Sequence, residues 1–131
     1  MTTAIICSAI LAALVFVLGF NVSRMRGVTA KQGGSQLPTD PASPLLIAQR
    51  AHGNATEYVP TLMVLFLLVG ARSPAAVAIP LIVGATFARM AHALGMITAP
   101  SLVAEGKLRF AGAIGTYVFG IGLAVAAAFT L

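Results

Sequence analysis

Charged side chains are scarce in this sequence of 131 residues, because only 8% are charged and 59% are hydrophobic. Soluble globular domains contain roughly 25% charged residues. The charges are also unbalanced, since eight Lys and Arg stand against three Asp and Glu and give a formal net charge of +5. A composition this apolar excludes an ordinary water-soluble domain and predicts an integral membrane protein.

Cysteine and aromatic residues are scarce too, and this excludes further classes of protein. Cys7 is the only cysteine, so neither an intrachain disulfide nor a multi-cysteine metal site can form. The two histidines do not have the spacing of metal ligands on a helix, and we predict no metal. The basic residues are scattered and the chain has no Trp, so we expect no nucleic-acid partner.

Four apolar segments are long enough to cross a bilayer. The first, Met1–Ser23, has no charged side chain and at 1.5 Å per residue covers roughly 30 Å of hydrocarbon. Positive charges follow this segment rather than precede it, which favours a retained anchor over a signal peptide. The predicted helices cover residues 2–23, 44–71, 74–95 and 108–131, and a polar loop covers residues 24–43. The predicted fold is therefore a single all-α domain, a four-helix membrane bundle with kinks expected at Pro60 and Pro80.

The distribution of positive charge predicts how the helices are oriented. The loops on one side carry Arg24, Arg26, Lys31, Lys107 and Arg109, and the other side has only Arg72. Cytoplasmic loops are enriched in Lys and Arg, so we expect the two basic loops in the cytoplasm and both termini outside it. Lys107 is interpreted as an interfacial anchor whose charge reaches the lipid headgroups.

The segment RAHGNATEYVP, residues 50–60, places charged side chains inside a membrane helix. Such side chains are costly in hydrocarbon and normally face a bundle interior or a cavity. At 100° per residue, one stripe roughly 60° wide contains Arg50, Asn54, Glu57 and Thr61. His52 points away from this stripe towards a different neighbour, for which another subunit is one candidate.

Depth along the helices brings further polar groups to the same layer. Counting about 20 residues per span places Glu57 level with Arg89 on the third helix, near the cytoplasmic boundary. His92 lies one turn beyond Arg89, and Arg109 begins the fourth helix. Glu57 and Arg89 could form an ion pair that only fixes the helix register. The excess of guanidinium groups instead favours an anion with carboxylates as ligand, with Tyr117 as either a pocket wall or a packing residue.

One pattern in the second helix is Arg50-Ala-His52-x-Asn54-x-x-Glu57-Tyr58, and it is followed by Arg89, His92 and Arg109. This pattern resembles the membrane-associated proteins in eicosanoid and glutathione metabolism (MAPEG). It is most similar to the short bacterial members. The resemblance implies a homotrimer in the bacterial inner membrane, with the cosubstrate glutathione bound between subunits on the cytoplasmic side. The glutathione-binding residues that it implies are Arg50, His52, Asn54, Glu57, Tyr58, Arg89 and His92. Arg109 would be the catalytic residue, which stabilises the thiolate.

The function implied is a glutathione-dependent transferase or peroxidase that acts on lipophilic electrophiles or hydroperoxides from the membrane. Ile47 and Met96 depart from the family pattern, because they replace an arginine and a tyrosine that contact the tripeptide, and the connection Ile97–Glu105 is longer than in the eicosanoid enzymes. Two alternatives remain open. One is a small proton-coupled transporter that uses Glu57, and the other is a non-catalytic member that keeps the fold to bind lipid or a partner protein.

Overall fold

The computed structural model describes residues 1–130. It contains the helices α1 (Thr2–Lys31), α2 (Pro44–Arg72), α3 (Ala75–Ile97) and α4 (Lys107–Ala128). All four helices are long and apolar enough to cross a membrane. The predicted all-α four-helix membrane bundle is therefore confirmed. Helix α4 ends at Ala128, earlier than the predicted end at residue 131, and residue 131 itself lies outside the described residues.

The loop predicted for residues 24–43 is wrong at its start, because α1 continues to Lys31. Residues 24–31 include Arg, Met, Ala and Lys, which are good helix formers, and no proline. Helix α1 therefore continues beyond the membrane boundary that the sequence predicts near Ser23. The chain turns at Gly33, whose φ of 67° is a backbone conformation that glycine adopts without steric cost.

Helix α2 begins with a well-formed cap. The Ser43 side chain accepts a hydrogen bond from the backbone N–H of Leu46 at 3.4 Å, and Pro44 occupies the first turn, where its missing N–H costs nothing. The helix then continues through Pro60 to Arg72. This cap fixes where the segment that carries Arg50 and Asn54 enters the bundle.

The core is apolar at one end of the bundle and tightly packed between α3 and α4. The main cluster of buried residues includes Leu11, Phe66, Ile82 and Leu123. Other large apolar side chains remain on the outer surface, among them Phe16 at 79% exposure. Exposed apolar area of this kind is what a membrane protein presents to lipid or to other subunits.

Small residues allow α3 and α4 to approach each other closely, as is common between helices in lipid. A Cβ atom at Gly112 would collide with the backbone of His92 and with the Ala88 carbonyl oxygen. A Cβ atom at Gly95 would lie 2.5 Å from the backbone nitrogen of Arg109. These two glycines therefore set the distance between the helix that carries His92 and the helix that carries Arg109.

Candidate functional site

A cavity of about 620 Å³ lies at the end of the bundle where α3 ends and α4 begins. Its wall is formed by α2, α3, α4 and the α3–α4 loop. The lining residues are Arg50, Asn54, His92, Met96, Glu105, Gly106, Lys107, Arg109, Phe110 and Ala113. The volume falls within the usual range of small-molecule sites, roughly 300–1,000 Å³. Four of the residues predicted for the site, Arg50, Asn54, His92 and Arg109, thus meet around one space.

The cavity is electropositive. Arg50, Lys107 and Arg109 line it together with the single carboxylate of Glu105. The N-terminus of α4 also borders it, since Gly106 and Lys107 are lining residues, and Gly106 caps that helix without a side-chain hydrogen bond. Free N–H groups and the helix dipole at such a terminus favour an anion. The charges of the side chains and the helix end therefore both favour an anionic ligand.

Arg109 is held against its own loop. Its Nη1 donates to the Leu102 carbonyl oxygen at 3.1 Å and its Nη2 to the Ala104 carbonyl oxygen at 3.0 Å. A guanidinium group has five N–H donors, so others remain for a ligand in the cavity. This arrangement both orders the α3–α4 loop and fixes the charge of Arg109 at the cavity wall.

Arg89 lies behind the cavity and contacts α2 and α4. Its Nη2 donates to Oδ1 of Asn54 at 2.7 Å, and its Nη1 donates to Oγ1 of Thr116 at 3.5 Å. Its guanidinium group also lies 5.0 Å from the centre of the Tyr58 ring, within the range of a cation–π contact. Within the described residues Arg89 thus pairs with a neutral amide, and the ion pair with Glu57 considered from the sequence is not formed.

Two other predicted residues do not reach the cavity within the subunit. Glu57 is exposed and Tyr58 is half-buried, and neither lines the cavity. The Tyr58 hydroxyl lies 3.4 Å from the Tyr117 hydroxyl, with the ring centres 6.1 Å apart. Tyr117 therefore packs against Tyr58, and both rings also line a separate cavity of about 250 Å³ between α2 and α4.

His52 does not line the cavity either, and its neighbour lies on another helix of the same chain. Its Nε2 lies 3.3 Å from where a Cβ atom at Gly19 would stand. His52 therefore packs on α1 of its own chain, because the missing side chain of Gly19 opens a place for the imidazole. This agrees with the prediction that His52 points away from the polar stripe of α2, and the side chain stays partly exposed in the single subunit.

The structure adds lining residues that sequence reasoning did not single out. Ala113 lies four residues after Arg109 on the same face of α4, so helical periodicity could have indicated it. Phe110 follows Arg109 directly and lies about 100° away around the helix, so periodicity gives no signal for it. Glu105 lies in a loop, where no periodicity applies. Lys107, interpreted from the sequence as an interfacial anchor, also lines the cavity.

The two departures from the family pattern lie in different places. Met96 lines the cavity, where it presents an apolar wall. Ile47 is buried at 8% exposure and lines a separate space of about 310 Å³ between α1, α2 and the loops. Within one subunit, only the replacement at Met96 alters the wall of the electropositive cavity.

No cluster of three or more His, Cys, Asp or Glu that could hold a metal is present among residues 1–130.

Comparisons with known proteins give the family. No curated protein and no solved structure matches the chain. The model of the MAPEG family matches residues 4–129, which is nearly the whole sequence. The chain therefore belongs to the MAPEG family and is an integral membrane protein of four helices.

Proposed function

We propose that the protein is a membrane-bound glutathione-dependent transferase or peroxidase that acts on lipophilic electrophiles or hydroperoxides. The observation that carries this proposal is the cavity in which Arg50, Lys107 and Arg109 stand around one space of about 620 Å³. Glutathione is a thiol peptide with two carboxylates, and guanidinium groups bind carboxylates in bidentate fashion. The cavity has the volume and the charge that such a ligand needs.

The chemistry requires a thiolate, because the thiolate and not the thiol is the nucleophile. Arg109 would lower the pKa of the bound thiol and hold the sulfur in its anionic form. In a transfer reaction the sulfur lone pair forms a bond to an electrophilic carbon, and a leaving group departs with its bonding electrons. In a peroxidase reaction two glutathione molecules become a disulfide, and the hydroperoxide is reduced to an alcohol and water.

The second substrate would come from the lipid. Phe110 lines the cavity and is 69% exposed, so the cavity has an apolar rim on its outer side. A lipophilic electrophile can follow this surface towards the sulfur, while the charged side of the cavity holds the peptide. Met96 adds to the apolar part of the wall.

We further propose the homotrimer that the family resemblance implies, with glutathione bound between subunits, and the exposure of Glu57 supports a subunit contact at this position. Glu57 lies near the middle of α2, Pro44–Arg72, and its side chain is exposed in the single subunit. A carboxylate at that depth is costly in contact with lipid. A neighbouring subunit would cover it and bring it to the shared ligand. Because basic loops favour the cytoplasm, we place the cavity on the cytoplasmic side of a bacterial inner membrane, with both termini outside.

The test is the glutathione-dependent activity of the detergent-purified protein against a panel of electrophiles and hydroperoxides. The matched control replaces glutathione with S-methylglutathione, which has the same charges but no ionisable thiol. We expect turnover of at least one electrophile or hydroperoxide with glutathione and none with the methylated form. Absence of turnover across the panel, although glutathione binds, would favour the non-catalytic alternative.

A further inference from the structure

Arg89 is one of the most deeply buried side chains of the subunit, with 2% exposure. It does not line the cavity, yet its Nη2 lies 2.7 Å from Oδ1 of Asn54, which does. Arg89 therefore cannot donate a hydrogen bond to a ligand in the cavity itself, and Asn54 is the nearest side chain through which it could orient one.

The guanidinium group of Arg89 is fixed from several sides. Thr116 accepts from Nη1 at 3.5 Å and itself donates to the Gly112 carbonyl oxygen at 2.7 Å. The ring of Tyr58 lies 5.0 Å from the guanidinium carbon. A group held by α2 and α4 together has little freedom, so the hydrogen bond to Asn54 has a fixed direction.

Stability alone does not account for this buried arginine. Its Nε is buried without a hydrogen-bond partner among residues 1–130, and its partner Asn54 is neutral. Burying a charge without an opposite charge is costly, and apolar residues often serve a core better. What the arrangement does supply is a defined orientation of the Asn54 amide.

A guanidinium group can only donate hydrogen bonds, so the Asn54 atom that faces it is the oxygen, and the NH₂ group is left for the cavity. We propose that Arg89 is a positioning residue that holds Asn54 in this orientation, so that Asn54 donates hydrogen bonds to a carboxylate of the bound thiol peptide. This inference rests on the proposed function and assigns to Arg89 an indirect role in place of direct ligand contact.

The substitution Asn54→Asp tests the direction of the hydrogen bond. Aspartate has nearly the same shape and pairs well with Arg89, but it has no NH₂ group and would repel a ligand carboxylate. We expect an unchanged or higher melting temperature in detergent, and glutathione binding weaker by about tenfold or more, as for the loss of a hydrogen bond to a charged group. Equal or tighter binding of glutathione by this variant would overturn the inference.

A second test asks whether Arg89 acts through Asn54. Glutathione affinity is measured for Arg89→Leu in the wild-type and in the Asn54→Ala background, and for Arg89→Lys, which restores one donor. We expect Arg89→Leu to weaken binding only where Asn54 is present, and Arg89→Lys to recover part of the loss. An equal loss in both backgrounds would contradict a positioning role.

The outcomes separate the inference from the proposed function. If the wild-type protein does not bind glutathione, the proposed function fails and the inference fails with it. If the wild-type protein binds glutathione and Asn54→Asp binds it more tightly, only the role of Arg89 is overturned. Should Arg89→Leu fail to fold, the Asn54→Asp comparison still decides, because that variant retains a partner for Arg89.

Discussion

Gly95 on α3 packs directly against the backbone of Arg109 on α4. A Cβ atom at Gly95 would lie 2.5 Å from the Arg109 nitrogen and 2.8 Å from its Cα. The place of Arg109 in the cavity therefore depends on the absence of a side chain on the facing helix. This contact links the packing of the bundle to the residue that we assign to thiolate stabilisation.

Gly95→Ala should accordingly lower both stability and turnover. The added methyl group forces α4 away, and overpacking of this kind costs about 1–3 kcal/mol. The melting temperature in detergent and the glutathione-dependent rate measure the effect. Gly27→Ala is the matched control, because no atom lies within 4 Å of a Cβ built there, and alanine favours the helix. If Gly95→Ala is as stable and active as Gly27→Ala, the contact is not important for the site.

Arg109→Ala should lower turnover by about 10²-fold, as expected for the loss of one stabilising group for a developing or bound anion. Glutathione affinity should stay largely intact, because Arg50 and Lys107 still line the cavity. The pH at which the rate is half-maximal should rise, since the bound thiol loses its nearby positive charge. Arg72→Ala, at the opposite end of α2, is the control. A wild-type rate in Arg109→Ala would show that the role given to this residue is wrong.

Arg50→Ala should weaken glutathione binding more than it changes the rate at saturation. Arg50 is exposed on α2 and lines the cavity, so its loss removes a charge-assisted hydrogen bond and about tenfold or more in affinity. Titration calorimetry in detergent measures this effect. Arg26→Ala removes an exposed arginine of α1 and should bind like the wild type. Similar losses in both variants would indicate only a general effect of net charge.

Glu57→Gln separates the enzyme from the transporter. In the enzyme, we expect weaker glutathione binding, and only in the assembled oligomer, because Glu57 lies outside the cavity of its own subunit. A proton-coupled transporter instead predicts that a cationic drug releases protons from the purified wild-type protein and not from Glu57→Gln. Proton release measured in weakly buffered detergent decides between them, and drug-dependent release that vanishes in Glu57→Gln would favour the transporter.

The four helices could be predicted from the sequence because long apolar segments in a chain with so little charge have few other solutions. The meeting of Arg50, Asn54, His92 and Arg109 could be predicted as well, since periodicity gives the face of a helix and residue counting gives the depth. Both arguments use distances along single helices, and these are fixed by helix geometry.

Features that depend on how helices rotate against one another could not be predicted in the same way. Glu57 and Asn54 share one stripe on α2, yet only Asn54 contacts Arg89, because a small rotation decides which of them faces α3. The contact of His52 with Gly19 could not be predicted, because it depends on how α1 packs against α2. A glycine in an apolar helix gives no sign in the sequence that a polar side chain packs there. Glu105 lies in a loop, and its place at the cavity follows from the hydrogen bonds between that loop and Arg109.

The central claim is that the cavity between α2, α3 and α4 holds glutathione. Titration calorimetry of the wild-type protein and of Ala113→Phe tests it most directly, because the phenyl ring would fill the cavity that Ala113 lines. Ala71→Phe, at an exposed position near the end of α2, is the control. We predict that the wild type and Ala71→Phe bind glutathione and that Ala113→Phe does not. No heat from the wild type at millimolar glutathione, or equal binding by Ala113→Phe, would contradict the claim.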